Sequence, residues 1–263
     1  DYQRVASVDV PIAADTSFAM KYAPVGRHSH AWHVGQEIAD LAGSASQRAF
    51  GVGYLAHLAA DVVAHNFFVP RQLVLTASTK ALGHSYWEAR FDMHLGERYA
   101  RTAHEVILHD HRANDEHLDR IISPTIFSVR TNRRLFRGMV QLTDFTGWAQ
   151  VVRLAADASR GDLPDADVER HLAISFDYVM DLLISGDRAR ARRSDPSGAD
   201  ALAAAKRMRR HALLSGGKKD PDLVLGVAEE HFGLPGARLG YWESCEIDPA
   251  WRRLRKNGGR IAI

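Results

Sequence analysis

Between residues 50 and 70 the chain reads FGVGYLAHLAADVVAHNFFVP, an apolar stretch interrupted by His57, Asp61 and His65. Because each of these residues follows the last by four positions, a helix would place all three side chains on one face. Apolar side chains cover the other faces, which predicts a buried helix. A buried ionisable group must be paired, neutral or bound to a metal. The pattern therefore predicts a helix built around a polar or metal-binding face.

A second pair at the same spacing follows in the segment His84-Ser-Tyr-Trp-Glu88. A single histidine on an apolar helix is usually hydrogen bonded to a carbonyl group. Five residues of ligand type on two neighbouring helices instead favour a multinuclear metal site over a structural polar network. Imidazole and carboxylate ligands without thiolate suit zinc, with iron or manganese as alternatives.

The composition excludes several other classes of protein. The formal net charge of +2 on 263 residues is too small to argue for nucleic-acid binding by itself. Cys245 is the only cysteine, which rules out an internal disulfide and a cysteine-based zinc site. The sequence contains no run of about 18 uncharged apolar residues, so we expect no membrane-spanning segment. The chain begins Asp1-Tyr-Gln, without Met or a signal-peptide pattern, so we expect a processed or trimmed product.

Helical periodicity dominates the chain, and no segment shows sustained β alternation, which predicts an all-α fold. The predicted helices are 31–41, 47–68, 83–113 with a break near Gly96, 132–143, 165–185, 198–214, 222–232 and 249–256. Basic residues concentrate after Arg188, on what we interpret as a solvated surface, with a phosphate-facing patch as the alternative. We therefore divide the chain into a metal-site helical core, 1–160, and a helical C-terminal extension, 161–263, which can also be part of the same domain.

Further candidate ligands lie upstream of the two helical pairs. Asp15 follows a short apolar run, and the segment Arg27-His28-Ser-His30-Ala-Trp32-His33 contains three histidines. Taken alone, Asp15 is equally compatible with a helix N-cap, and the histidines with a surface loop. Their order along the chain, before the two helical pairs, favours a role as ligands.

This order resembles that of the zinc-dependent phospholipase C family, whose wider relatives include the S1/P1-type single-strand nucleases. The motifs look closest to a bacterial branch of the family. They are His57-Leu-Ala-Ala-Asp61-Val-Val-Ala-His65-Asn66 and Gly83-His84-Ser-Tyr-Trp87-Glu88-Ala-Arg90, and with Asp15 they span about a third of the chain. The resemblance implies an all-α fold that holds three zinc ions in a cleft, and a secreted or periplasmic location.

The resemblance also implies a ligand set. The first zinc would take Asp15, one of His28 or His30, His57 and Asp61, with His33 as a weaker option. The second would take His65, His84 and Glu88. Asp61 would bridge the first ion to a third, and Asp15 would orient or deprotonate the attacking water, so both are candidate catalytic residues.

The third zinc is where this sequence departs from the family. Relatives bind it through an N-terminal Trp and a nearby His, but this chain begins with Asp1 and has no His before His28. We therefore expect two zinc ions, and a third only if N-terminal residues are missing here. Asn66, beside His65, is either a residue that orients an imidazole or a helix-surface amide.

The implied function is a metal-activated water attacking a phosphodiester, most simply in a phospholipid. Three alternatives stay open. The first is a nuclease-like phosphodiesterase, for which nucleic acid would be the substrate. The second is a non-catalytic zinc-binding relative. The third is an HD-type phosphohydrolase, suggested by the adjacent pair His109-Asp110, although the charged stretch from 104 to 119 reads as exposed and solvated.

Overall fold

The computed structural model describes residues 2–5, 8–11, 29–76, 83–95, 105–106, 111–122, 163–214, 220–236 and 238–245. These residues are mainly helical, which confirms the all-α prediction. The exception is a short antiparallel hairpin of strands β1 (Tyr2–Val5) and β2 (Val8–Pro11). Each strand has only four residues, which is too short for an alternation of apolar and polar residues to be recognised in the sequence. The predicted helices at 132–143 and 249–256 lie outside the described residues.

The helices follow the predicted order closely. They are α1 (Trp32–Asp40), α2 (Ala45–Val63), α3 (Val69–Leu75), α4 (His84–Leu95), α5 (Arg112–Ile121), α6 (Asp165–Ser185), α7 (Ala199–Leu214), α8 (Pro221–Phe232) and α9 (Tyr241–Ser244). Two 3₁₀ turns, Gly186–Arg188 and Arg190–Arg193, lead from α6 towards α7. Most of helix α5 was not predicted, because the predicted helix ended at residue 113. The prediction that residues 104–119 are exposed was wrong for His117. That side chain is 2% exposed, and its Nε2 lies 2.7 Å from the Ile38 carbonyl oxygen.

Helices α2 and α3 form one continuous helix through a π-helical turn, Ala64–Phe68. Its N-terminus is capped by the Ser44 hydroxyl, which accepts from the backbone N–H of Gln47. The prediction that this helix ends at Phe68 was wrong. In the π turn the N–H of Val69 donates to the Ala64 carbonyl, and Pro70, which has no N–H, follows where the bonding pattern changes. The turn therefore admits a proline that an α-helical interior would exclude.

The long central helix is packed on several sides by the other helices. Around Phe68 and Leu73, the core includes Val168 of α6, Leu202 of α7 and Phe232 of α8. A second cluster joins Val62 and Val63 of α2 to Ile174, Tyr178 and Leu182 of α6. Described residues from both predicted segments thus share these clusters. The boundary at 160 lies outside the described residues and stays a prediction.

By length and mean hydropathy alone, the helix Ala45–Leu75 could cross a membrane, and it is the one such helix among the described residues. This is weak evidence, because 44% of its most apolar window is buried against the rest of the chain. The core helices of globular domains meet the same criterion. The helix also carries Asp61 and His65, which are costly to place in hydrocarbon.

Buried polar groups fasten the C-terminal helices to this framework. The Asp177 carboxylate on α6 is 2% exposed and accepts backbone N–H bonds from Leu239, Gly240 and Trp242 at 3.1, 3.2 and 2.7 Å. On α3, the buried Arg71 guanidinium binds Asp167 at 3.2 Å and Glu229 at 2.7 Å. These two buried charges, Asp177 and Arg71, therefore both have hydrogen-bond donors or charges of opposite sign as partners.

Candidate metal centre

The first candidate metal group joins the loop before α1 to the middle of α2. It consists of His30, His57 and Asp61, whose potential ligand atoms all lie within 4.8 Å of one another. The Oδ2 atom of Asp61 is 3.4 Å from Nε2 of His30 and 3.1 Å from Nε2 of His57. His30 is placed by its neighbour Ser29, whose carbonyl accepts a 2.7 Å hydrogen bond from the Tyr54 hydroxyl on α2.

The second group joins the π turn to the first turns of α4. It consists of His65, His84 and Glu88, again with all potential ligand atoms within 4.8 Å of one another. Both imidazoles point an Nε2 atom at the same carboxylate oxygen, Oε1 of Glu88, at 3.0 Å for His65 and 2.8 Å for His84. The π-helical turn and helix α4 therefore face each other through these three side chains.

The two groups are neighbours. The ring centroids of His30 and His65 lie 6.0 Å apart, and those of His30 and His57 lie 5.8 Å apart. On the other side of His65, the His84 ring lies at 4.8 Å. The four imidazoles thus form one continuous cluster that has an acid at each end, Asp61 and Glu88. Such an arrangement can hold two cations close together.

Hydrogen bonding assigns the protons of His65. Its Nδ1 lies 2.7 Å from the carbonyl oxygen of Pro196, and a carbonyl can only accept, so Nδ1 carries a proton. The Nε2 atom facing Glu88 then has two options: it carries a second proton, or it offers a lone pair to a cation lying between it and the carboxylate. The same Nδ1–H to carbonyl contact is the usual outer partner of a metal-bound histidine.

Asp61 gives an independent indication of a missing partner. Its Oδ2 atom is buried, and no hydrogen-bond donor among the described residues reaches it with suitable geometry. The nearby imidazole nitrogens are close but misaligned. An anionic oxygen left without a donor in the interior is costly, whereas a divalent cation would satisfy it. The donor set of imidazoles and carboxylates with no thiolate fits zinc.

The local electrostatics differ between the two carboxylates. Burial raises the pKa of Asp61 above its ordinary value, although the neighbouring histidines oppose this. At Glu88, burial also acts to raise the pKa, but hydrogen bonds from His65 and His84 outweigh it and lower the pKa to about 2. At His65, burial lowers the pKa, and the bond to Glu88 with the charge of Asp61 more than compensates, so its pKa is raised.

The structure thus brings together six of the predicted ligands. Those six are His30, His57, Asp61, His65, His84 and Glu88. Asp15 and His28 lie outside the described residues. The structure places His30 in the first group, and whether His28 also belongs to that group stays a prediction. His33 belongs to neither group and lies exposed on α1. The metal binding itself stays a prediction.

The predicted burial of the helix face holds for only part of it. His57 keeps 57% of its side chain exposed, while Asp61 keeps 11% and His65 only 4%. The first group therefore opens to solvent at His57, and the second is more enclosed. Asn66 donates to the carbonyls of Val62 and Asp195, at 3.0 and 2.8 Å, rather than to an imidazole.

Pro196 was not among the residues predicted to belong to the site. Its carbonyl lies beside His65 although 131 positions separate the two residues. The segment Asp195-Pro-Ser-Gly198 shows only the composition of a turn, and a backbone carbonyl has no side-chain signature. No pattern in the sequence could have linked this turn to the histidine.

A family model described as zinc dependent phospholipase C matches residues 12–132. The match contains all six residues of the two groups, and also Asp15 and His28. It ends well before Pro196. No curated protein and no solved structure matches the chain.

Proposed function

We propose, from the match of residues 12–132 to the zinc-dependent phospholipase C family, that this chain is a zinc-dependent hydrolase that cleaves phosphodiesters in phospholipids. The family is one of hydrolases, and its zinc dependence agrees with the ligand-type residues gathered here. The observation that carries the proposal is the buried Oδ2 atom of Asp61, which has no hydrogen-bond donor among the described residues and lies close to both imidazoles of the first group.

We assign one zinc ion to each group. His30, His57 and Asp61 would hold the first, with Asp15 and His28 as further candidates. His65, His84 and Glu88 would hold the second. Zinc bound here would supply a water of lowered pKa and positive charge to offset the charge that builds up on the phosphoryl oxygens.

The chain's own residues divide the remaining work. The Pro196 carbonyl keeps the Nδ1 proton on His65, which leaves Nε2 facing the site. The charge of Asp61, a residue that is 8% exposed, would balance the charge of a cation bound in the first group. The exposed edge of His57 leaves the first group open to solvent, and this is where a phosphodiester would have access.

One observation favours a second candidate function, a structural role for zinc. His65 and His84 are only 4% and 12% exposed, so these two imidazoles of the second group are largely shielded from solvent and from a substrate. In that reading the chain would be a zinc-binding relative without hydrolytic activity. The open first group argues for catalysis, so the two readings differ in whether a substrate is turned over.

The test compares wild type with Asp61→Asn after measuring the zinc content of both. Substrates are phosphatidylcholine, bis(p-nitrophenyl) phosphate and single-stranded DNA, which separate phospholipase, general phosphodiesterase and nuclease activity. Asp61→Asn keeps the side-chain volume but removes its charge. We expect it to lose at least one ion and to lower the hydrolysis rate about a hundredfold, on the scale of metal-ligand effects.

Asp222→Asn makes the same chemical change at an exposed position on α8 and is the matched control. It should keep the zinc content and rate of the wild type. Equal rates in wild type and Asp61→Asn would remove Asp61 from the mechanism. Zinc binding without hydrolysis of any substrate would support the structural role instead.

A further inference from the structure

We propose that residues 194–198, here called the clamp segment, position His65 for metal binding, although they lie outside the part of the chain that matches the family. This inference rests on the second zinc site of the proposed function. It assigns a role in that site to the C-terminal half of the chain, for which neither the family match nor the sequence motifs supply one.

Three consecutive carbonyl groups of the clamp segment face the ligand-bearing part of the fold. The Ser194 carbonyl accepts from Trp32 Nε1 at 2.8 Å. The Asp195 carbonyl accepts from Asn66 Nδ2 at 2.8 Å. The Pro196 carbonyl accepts from His65 Nδ1 at 2.7 Å. Trp32 opens α1, directly after the His30 loop. The segment therefore holds His65, its neighbour Asn66 and the start of α1 at once.

The clamp segment is itself fixed by internal bonds. The Asp195 carboxylate accepts from both the backbone N–H and the hydroxyl of Ser197. The Gly198 N–H donates to the Asp195 carbonyl at 3.1 Å, and the Gly198 carbonyl accepts from Leu202 in the first turn of α7 at 2.8 Å. The Pro196 carbonyl is thus presented to His65 by a preformed turn anchored to a helix.

Gly198 permits this close approach. Its φ of +57° lies in the left-handed region, and a Cβ placed there would come within 2.3 Å of the His65 carbonyl oxygen and 2.6 Å of the His65 Cβ. Gly186 has the same φ of +57°, but a Cβ there would meet nothing within 4 Å. Substitution of either glycine by alanine therefore places a Cβ at a positive φ, which is strained. Only the substitution at Gly198 would also push against His65.

The bond from Nδ1 has a consequence that plain packing would lack. With the Nδ1 proton held by a carbonyl, the lone pair of the neutral ring is confined to Nε2, the atom that faces Glu88. Shifting the clamp segment would free the ring to rotate or to place its proton on Nε2. Either change removes a zinc ligand without altering any residue of the two groups.

The experiment compares zinc binding in Gly198→Ala, Gly186→Ala and wild type by competition with a chromogenic chelator at several pH values. We expect Gly198→Ala to weaken one of two zinc ions by about 10- to 100-fold, the range seen when an outer-shell partner of a ligand is lost. Gly186→Ala should bind both ions as the wild type does. Equal affinities in all three proteins, or equal losses in both variants, would overturn the proposal.

Should Gly198→Ala fail to fold, Asn66→Ala provides a second test. It removes the donor to the Asp195 carbonyl but leaves every ligand in place, and we expect a selective weakening of one zinc ion. Wild-type zinc affinity in this variant would count against the clamp. A wild type that binds no zinc at all would refute the proposed function itself, an outcome that is distinct from failure of the clamp.

Discussion

The Nε2 atom of His65 lies 3.0 Å from Oε1 of Glu88, although the two residues belong to different helices. The same oxygen also accepts a contact of 2.8 Å from His84, one turn earlier on α4. This shared oxygen keeps the pKa of Glu88 at about 2 despite the opposing effect of its burial. The carboxylate is therefore charged at neutral pH, where it can bind a cation.

Glu88→Gln should abolish tight binding of the second zinc ion. The amide keeps the shape of the carboxylate but has no charge, and its NH₂ group cannot coordinate a metal. We expect zinc affinity at this site to fall by at least 10- to 100-fold, read as the loss of one ion after dialysis. Glu230→Gln, an exposed position on α8, is the control. A dialysed Glu88→Gln protein that keeps both ions would contradict the assignment.

Removing zinc should destabilise the protein more at pH 8 than at pH 6. Histidine must be neutral to bind zinc, so zinc contributes most at the higher pH. Without zinc, His65 has a raised pKa, and its pairing with Glu88 stabilises the fold below the unfolded histidine pKa of about 6.5. That contribution is lost as the pH rises through the raised value.

The measurement is the melting temperature with and without a strong chelator at each pH. A larger drop at pH 6, or no drop at either pH, would be inconsistent with the His65–Glu88 pair as a zinc site. Addition of excess zinc should restore the original melting temperature.

His171 should make the fold sensitive to mild acid independently of the metal centre. Burial against Phe68 lowers its pKa to about 4, with Arg71 and Arg170 acting in the same direction and the nearby Asp167 opposing them. Since the unfolded chain binds the proton near pH 6.5, stability is full above that value and is lost as the pH falls towards 4. The expected loss between pH 7 and 5 is about 2 kcal/mol.

His171→Leu should remove most of this dependence. At pH 7 it removes one hydrogen bond, from Nδ1 to the Asp167 carbonyl at 2.6 Å, because Nε2 has no partner within the described residues; we therefore expect a cost of about 1 kcal/mol. Urea unfolding of both proteins at pH 7 and 5 provides the comparison. The same acid loss in variant and wild type would show that other groups are responsible.

Asp177→Ala should loosen the turn that precedes α9. Three backbone N–H groups, including that of Trp242, would lose a charged acceptor. Hydrogen bonds to charged groups contribute about 1.5–3 kcal/mol each, and water can replace some of them, so we expect a net loss of about 3 kcal/mol in urea unfolding. The exposed Asp222→Ala should change stability by less than about 0.5 kcal/mol. Similar values for the two variants would contradict the anchoring role.

The sequence predicted the helices well because their apolar periodicity is long and regular. The bounds of α6, Asp165–Ser185, are those predicted. The juxtaposition of His57 with Asp61, and of His84 with Glu88, also followed from spacing alone, since residues four apart share a helix face. The meeting of His65 with Glu88 needed only two neighbouring helices and the family resemblance.

Other features could not be read from local sequence. The π turn depends on how the helix accommodates Pro70, and proline more often indicates a helix end than a change of hydrogen-bond register. The burial of His117 comes from a contact with Ile38, 79 positions away, within a stretch whose charges suggested exposure. The clamp segment acts through main-chain carbonyls, which every residue carries and no motif records.

The 131 positions between His65 and Pro196 also affect the order in which the site can form during synthesis. During synthesis, all residues that match the family leave the ribosome before Pro196 does. Until then, His65 has neither a carbonyl at its Nδ1 nor the glycine that allows the turn to approach. A nascent chain could gather its histidines around zinc, but the ring of His65 would be held in its final tautomer only after residue 198 is made. If the second group binds zinc as proposed, the hydrogen-bond partner that orients His65 would be in place only after residue 198 has been made.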